Sequence, residues 1–240
     1  MGLMRPFRVM SAQEKEWDQA YKNKDNFVFY PHEEIIRFVS RYIRKRIDFD
    51  NFRDAHVNAS SAKVLDVGCG VGRHVKFLND YKLDGYGVDL SPFAIEEAGR
   101  LFDLQGLPQL KQKLRVAGVD ETNFDDASFD FALSHGVFDS MHFEVAQSGI
   151  NEMSRILKPG GLMYLDVVSG DETGRSAAFD GEETVSTQHE EGTVQSYFNV
   201  NKIERLLGGK FEIVELALIK REDVQLGRHH SRYHVVIKNL

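Results

Sequence analysis

The sequence predicts an α/β fold in which seven short strands alternate with helices. Three observations carry this prediction. Residues 63–73, KVLDVGCGVGR, read as a buried strand, a tight glycine turn and the first turn of a helix. Further apolar runs at 86–90, 114–119, 129–134 and 162–168 alternate with amphipathic segments, the pattern of βα units. Two last runs, 211–219 and 233–238, have no helix between them and read as a closing hairpin.

The chain has 240 residues, 42% hydrophobic and 28% charged, which is ordinary for one globular domain with a full core. It has no run of about 18 apolar residues, so no membrane span is expected. The first ten residues, MGLMRPFRVM, lack the apolar core and cleavage signature of a signal peptide. A single cysteine, Cys69, excludes an internal disulfide and fits a cytoplasmic protein. The formal charge of −7 argues against a nucleic-acid footprint. Residues 11–24 read as a helix, with Ser11 as N-cap and Glu14 completing a capping box. Trp17 and Tyr21 lie four apart on one face of it. FVFYP, at 27–31, interrupts the pattern, and Pro31 opens a second helix to about Ile47. Ile35, Ile36, Val39, Tyr42 and Ile43 form its apolar side, opposite Arg37, Arg41, Arg44, Lys45 and Arg46. That basic run reads as a solvated face, with a site for an anionic substrate as the alternative. Residues 48–62 read as a loop.

The glycine turn is the most informative stretch. Glycine is required where the backbone takes positive φ or where a ligand lies against the main chain. The helix start adds free N–H groups pointing at that ligand. The turn is therefore a cradle for a nucleotide-like molecule; the other reading, a turn with no ligand, leaves three alternating glycines without a purpose. A dinucleotide fingerprint requires glycine where Arg73 stands, and a P-loop requires Gly-Lys-Ser/Thr, which is absent. Asp66, two residues before Gly68, is ill placed beside a pyrophosphate. It suits a ligand carrying an ammonium group and a sulfonium. DVGCGVGR closely resembles motif I of the class I methyltransferases that use S-adenosylmethionine. Cys69, inside the turn, reads as a small residue in a tight place rather than a nucleophile.

Tyr86, Val88 and Leu90 alternate around Gly87 and Asp89 to give the second strand, after which Ser91 caps a helix and Pro92 opens it. Asp89 ends the strand, where a carboxylate accepts both ribose hydroxyls of an adenosine. Dinucleotide folds use the same device, but GVDLSP is similar to the methyltransferase ribose position, with Leu90 beside it. After strand 114–119, the resemblance implies an acidic residue that accepts from the adenine amino group. By position this is Asp120, with Glu121 as second choice. FDFALSHGVFDSMHF, 129–143, resembles family motif IV, beside the methyl group. That implies cofactor contacts from Ser134 and His135, with Asp139, His142 and Phe143 facing the substrate. The Asn-Pro-Pro-Tyr signature of many adenine and glutamine N-methyltransferases is absent, which weakens a DNA or protein-amide substrate.

A helix is expected from about Phe143 to Leu157, then a Lys158-Pro159-Gly160-Gly161 turn into the fifth strand. L-K-P-G-G is a frequent companion of motif I in the family. Residues 169–198 break the rhythm and are rich in Gly, Glu, Asp, Ser and Thr. A long loop after the carboxyl end of a strand reads as substrate wall, a surface loop being the alternative. Asn199 caps a short helix to Leu207, which Gly208 and Gly209 end. Between the last two strands lies REDVQLGRHHSR, where His229 and His230 are adjacent and face opposite ways if on a strand. No histidine or cysteine has metal-site spacing, so no metal is assigned.

The resemblance runs from about Ala62 to the C-terminus. It implies a Rossmann-like seven-stranded mixed sheet with helices on both faces and an antiparallel last strand; a helical cap segment at 1–60 and the loop at 169–198 fall outside it. It also implies methyl transfer from S-adenosylmethionine, leaving S-adenosylhomocysteine, to a small-molecule acceptor by N- or O-methylation. The cofactor set would be Asp66, Gly68, Cys69, Gly70, Arg73, Asp89, Leu90, Asp120, Glu121, Ser134 and His135. Because N-terminal helices often cap the site in small-molecule members, Trp17, Tyr21 and Tyr30 join Asp139 as candidate substrate contacts. Candidate general bases are His135, His142 and His229. Two rivals stand beside this reading: a non-catalytic cofactor-binding sensor or partner subunit, and an RNA methyltransferase.

Overall fold

The computed structural model describes residues 11–24, 27–187 and 190–240. The N-terminal stretch read as free of a leader, and residues 188–189 of the 169–198 segment, lie outside that range. Helix α1 spans Ala12–Lys22, and Ser11 and Glu14 form the expected capping box. Helix α2 spans Glu33–Phe38, with His32 as N-cap, and continues as a π turn to Ile43. The expected continuation to Ile47 does not form. Arg44 instead enters β1 (Arg44–Arg46), which pairs antiparallel with β2 (Phe52–Asp54). The reason is the Arg44 side chain: it is buried, bonded twice to Asp54 at 2.5 and 3.1 Å, and donates to the Tyr81 and Lys82 carbonyls. A helical course would carry it away from all four acceptors.

The large sheet then begins with β3 (Lys63–Val67), α3 (Arg73–Asp80), β4 (Asp84–Asp89) and α4 (Pro92–Leu104). Next come β5 (Leu114–Val116), β6 (Phe129–Ser134), α5 (Phe143–Ile156) and β7 (Leu157–Val168). The Lys158–Gly161 turn is drawn into β7, with Gly160 at φ +78° and a register shift against β6. The segment 169–198 is not featureless: β8 (Glu182–Thr184) pairs antiparallel with β9 (Val194–Ser196). Helix α6 (Val200–Leu207) leads into β10 (Phe211–Asp223) and β11 (Arg228–Asn239). These last two strands run much further than 211–219 and 233–238, so the stretch between those bounds, 220–232, is mostly paired and His229 and His230 lie on β11.

The sheet order is β10-β11-β7-β6-β3-β4-β5. β11 is antiparallel to both neighbours, and the pairs among β7, β6, β3, β4 and β5 are parallel. Helices cover both faces. On one, α5 and α6 pack Ile150, Met153 and Leu206 against Leu65, Val67 and Leu165. On the other, Ile35 and Phe38 of α2 and Leu78 of α3 pack against Val64, Phe131 and Tyr164. The cap segment thus shares the core of the sheet through α2. The reversal of strand order between β6 and β3 opens a crevice at the carboxyl ends of those strands, where such sheets bind ligands. No helix among the described residues is long and apolar enough to cross a membrane.

Candidate active site

A cavity of about 850 Å³ lies over the carboxyl ends of β3, β4 and β6. Gly68, Cys69, Gly70 and Arg73 line it from the glycine turn, with Asp89 and Leu90 from the end of β4. Asp120, Glu121 and His135 line it from the loops after β5 and β6. Trp17 and Tyr21 of α1 complete the wall, and Glu190 reaches it from the 169–198 segment, whose Gly192 comes up against Glu16 of α1.

The three alternating glycines all take positive φ, +69°, +52° and +82°. At Gly70 a side chain would also meet the Tyr21 hydroxyl, 2.5 Å from the position of its Cβ. Gly70→Ala is therefore expected to unseat α1 and weaken binding of an adenosyl ligand about tenfold or more, measured by calorimetry; an unchanged affinity would mean that the turn does not cradle the ligand. Cys69 is buried, and burial pushes its thiol well above the ordinary range, so it packs and does not attack.

Asp89 is held by two backbone donors: Gly70 N–H at 2.8 Å and Ser91 N–H at 2.9 Å. Burial raises its pKa to about 6 in spite of these bonds. Asp66 is fully buried below the turn. One oxygen meets His74 Nδ1 at 3.2 Å, and the other has no hydrogen-bond partner in the protein. Ser134 is likewise buried, with an unpartnered hydroxyl, and neither residue lines the cavity wall. An orphaned carboxylate oxygen behind a glycine turn that lines the cavity is compatible with an amine-bearing adenosyl ligand.

The histidines fare differently from one another. His135 is in the cavity wall, but Arg73 approaches its Nδ1 at 3.3 Å, which assigns that nitrogen as the acceptor. Its Nε2 faces Asp166 at 3.6 Å. Burial drives its pKa down to about 3, so it is a neutral ring and a poor proton acceptor at pH 7. His142 lies on the surface, paired with Glu182 at 2.8 Å, and His229 pairs with Asp171 at 3.2 Å on the closing hairpin. Neither lines the cavity. Tyr30 is 82% exposed and borders a separate groove between α3 and α4. Asp139 faces the interior, not a substrate. Its carboxylate accepts from Val168 N–H at 2.8 Å and from Arg232 at 2.7 Å.

Several lining residues carried no sequence signal. Met141 and Val145 are apolar residues of a helix approach, and Gly118 and Val119 look like any strand end. Asp166 and Arg232, which anchor the loop after β6 through the Gly136 N–H, are 66 residues apart and meet only in the folded sheet.

Residues 65–165 match the family described as methyltransferase domain, and the fold is that of S-adenosylmethionine-dependent methyltransferases. Among relatives, the chain is 25% identical over 158 residues to chloroplastic tocopherol O-methyltransferase of Arabidopsis thaliana, covering 62% of this chain and 44% of that one. It is 32% identical over 120 residues to the tRNA N(3)-cytidine methyltransferase of Bos taurus, covering 45% and 30%. Among solved structures, a Burkholderia thailandensis 1,6-didemethyltoxoflavin-N1-methyltransferase, crystallised with its substrate and S-adenosylhomocysteine, superposes with a TM-score of 0.63. That match has 17% identity and covers 99% of this chain and 93% of the other. The chain spans less than half the length of the curated relatives it matches. The family's cofactor is S-adenosylmethionine, and the glycine cradle and the orphaned Asp66 oxygen fit it.

Proposed function

We propose that this protein is an enzyme transferring a methyl group from S-adenosylmethionine to a nitrogen or oxygen of a small-molecule acceptor. The observation that carries this reading is that nine residues picked out by the family motifs border one cavity, whose wall Trp17 and Tyr21 complete. Its volume is near the top of the roughly 300–1,000 Å³ range of small-ligand sites, which leaves space for an acceptor beside the cofactor. The tocopherol and toxoflavin relatives act on small molecules, in keeping with it.

In this reading Asp89 accepts the ribose hydroxyls, Asp120 the adenine amino group, and Leu90 and Val119 pack on the ring. Arg73 attracts the carboxylate, and Asp66, buried behind the turn, engages the ammonium group through water. The cofactor supplies an already activated methyl group. The chain therefore acts mainly by alignment and by excluding water, and alignment can contribute on the order of 7–11 kcal/mol. His135 orders the loop after β6 rather than taking a proton, since its basic nitrogen is occupied by Arg73.

Calorimetry with S-adenosylhomocysteine is expected to give a Kd of about micromolar, with no heat from NAD. Binding of NAD alone would reject the reading. Release of S-adenosylhomocysteine during turnover of a phenol or amine panel separates an enzyme from a binding-only protein. The tRNA relative makes RNA the second acceptor to try; with a net charge of −7, methylation of RNA is expected to be absent at any salt concentration.

A further inference from the structure

We propose that Asp18 is a positioning residue for the cofactor site: through Ser91 it braces the Asp89 carboxylate, so that seating α1 and filling the site are one coupled event. This rests on Asp89 being the group that binds the ribose.

Helix α1 touches the hydrogen-bond frame of Asp89 at two points. Ser91, which donates its N–H to Asp89, also donates its hydroxyl to Asp18 Oδ1 at 2.8 Å. The same Asp18 oxygen accepts Phe93 N–H at 3.0 Å, in the first turn of α4. Tyr21, one turn further along the same face, lays its hydroxyl against Gly70, the second donor to Asp89. Both donors to the carboxylate are therefore in contact with α1.

Helix α1 is 11 residues long, too short to persist alone, and Ala20 is its sole fully buried apolar residue. Asp18 is 7% exposed. Burial opposes its charge, but Lys22 at 2.7 Å and the donors from Phe93 and Ser91 outweigh it and hold the carboxyl below its ordinary pKa. Its position at the start of a 13-residue helix adds to that stabilisation. The docking of α1 is thus a polar latch, and the latch is one covalent residue away from the cofactor's own ligand loop. When the latch is lost, α1 is expected to lift, and Ser91 loses the contact that fixes the turn carrying Asp89.

Trp17 is the sole tryptophan of the chain, lies next to Asp18 and lines the cavity, so its fluorescence reports the seating of α1. The probe is S-adenosylhomocysteine, mixed with the full-length protein in stopped flow. Asp18→Ala is expected to raise Kd about tenfold or more, nearly all of it as faster dissociation, and to shrink the Trp17 signal change. Asp18→Asn keeps an acceptor oxygen and is expected to recover most of the affinity. Ser91→Ala should reproduce part of the loss, and the double variant should be no weaker than the worse single variant, because both act on one chain of contacts. Affinity within about twofold of the unaltered protein, additive effects in the double variant, or a lower Tm with unchanged dissociation would each overturn the proposal. If the unaltered protein gives no response to S-adenosylhomocysteine, the cofactor reading itself fails, which is a different result from a tight-binding protein indifferent to Asp18.

Discussion

Replacing Arg232 with methionine is expected to destabilise the protein by about 3–5 kcal/mol, the usual cost of removing one partner from a buried ion pair. Arg232 on β11 is a bridge between two carboxylates. Its Nε donates to Asp166 at 2.7 Å and a terminal nitrogen donates to Asp139, also at 2.7 Å. The two acids are 0–1% exposed, whereas the guanidinium keeps 31% of its side chain accessible. Loss of the cation would thus leave two anions in one dry neighbourhood. Asp166 shows what the cation does: burial alone would raise its pKa, but Arg232 and then His135 bring it below the ordinary value. Asp139, with one oxygen unpartnered, stays raised in spite of the same cation. The expected fall in Tm is about 6–20 °C, from about 2–4 °C per kcal/mol in a chain of this size. The pH dependence gives the mechanism its own check. Without Arg232 both acids prefer the protonated state, so the folded form binds more protons than the unfolded one. The deficit should then narrow as pH is lowered toward about 5. A Tm change under about 2 °C, or a deficit that widens in acid, would show that the bridge contributes no stability. The consequence for the site is indirect but specific: Asp166 also accepts Gly136 N–H at 2.7 Å, and Gly136 follows His135 in the cavity wall.

That bridge also illustrates what was legible in the sequence and what was not. All seven strands of the main sheet, and the caps at Ser11, Ser91 and Asn199, are local events written in a few adjacent residues. The glycine cradle, Asp89 and the acidic residues after β5 are legible for the same reason, since a turn and the helix or loop that follows it are consecutive in the chain. Errors cluster where a distant partner decides. Arg44 ends a helix that its neighbours would continue, because its acceptors at Asp54, Tyr81 and Lys82 are elsewhere. The 220–232 stretch is polar and falls between the expected strands, yet β11 pairs with β10 as far as Asp223 and Arg228. Asp139 lies within the stretch that resembles motif IV, where a substrate contact is expected. Its actual role depends on an arginine 93 residues away. Lone histidines carry even less local information: the same side chain is a neutral wall residue at His135 and a surface partner at His142.

Binding of S-adenosylhomocysteine is expected to weaken about tenfold for each pH unit below roughly 6, and to be flat above it. The cause is Asp89. Ribose hydroxyls donate to a carboxylate, so the ligand favours the ionised form and must expel a proton wherever Asp89 carries one. Burial raises the pKa of this group to about 6, against 3.8 for an unperturbed aspartate. The sign for stability is the reverse of that for affinity. Between those two values the unligated folded state holds a proton that the unfolded chain has released, so stability falls as pH rises through the window. Ligand and proton thus compete for one residue, and the ligand-induced rise in Tm should be smallest in acid. Asp89→Asn removes the titrating group and should abolish the pH dependence, leaving affinity lower by about 1.5–3 kcal/mol at pH 7, the scale of a hydrogen bond to a charged group. Asparagine keeps one acceptor oxygen for Gly70 or Ser91, so the turn should stay folded and the comparison should isolate the charge. Persistence of the acid-side slope in Asp89→Asn would assign the titration to another group and take Asp89 out of contact with the sugar.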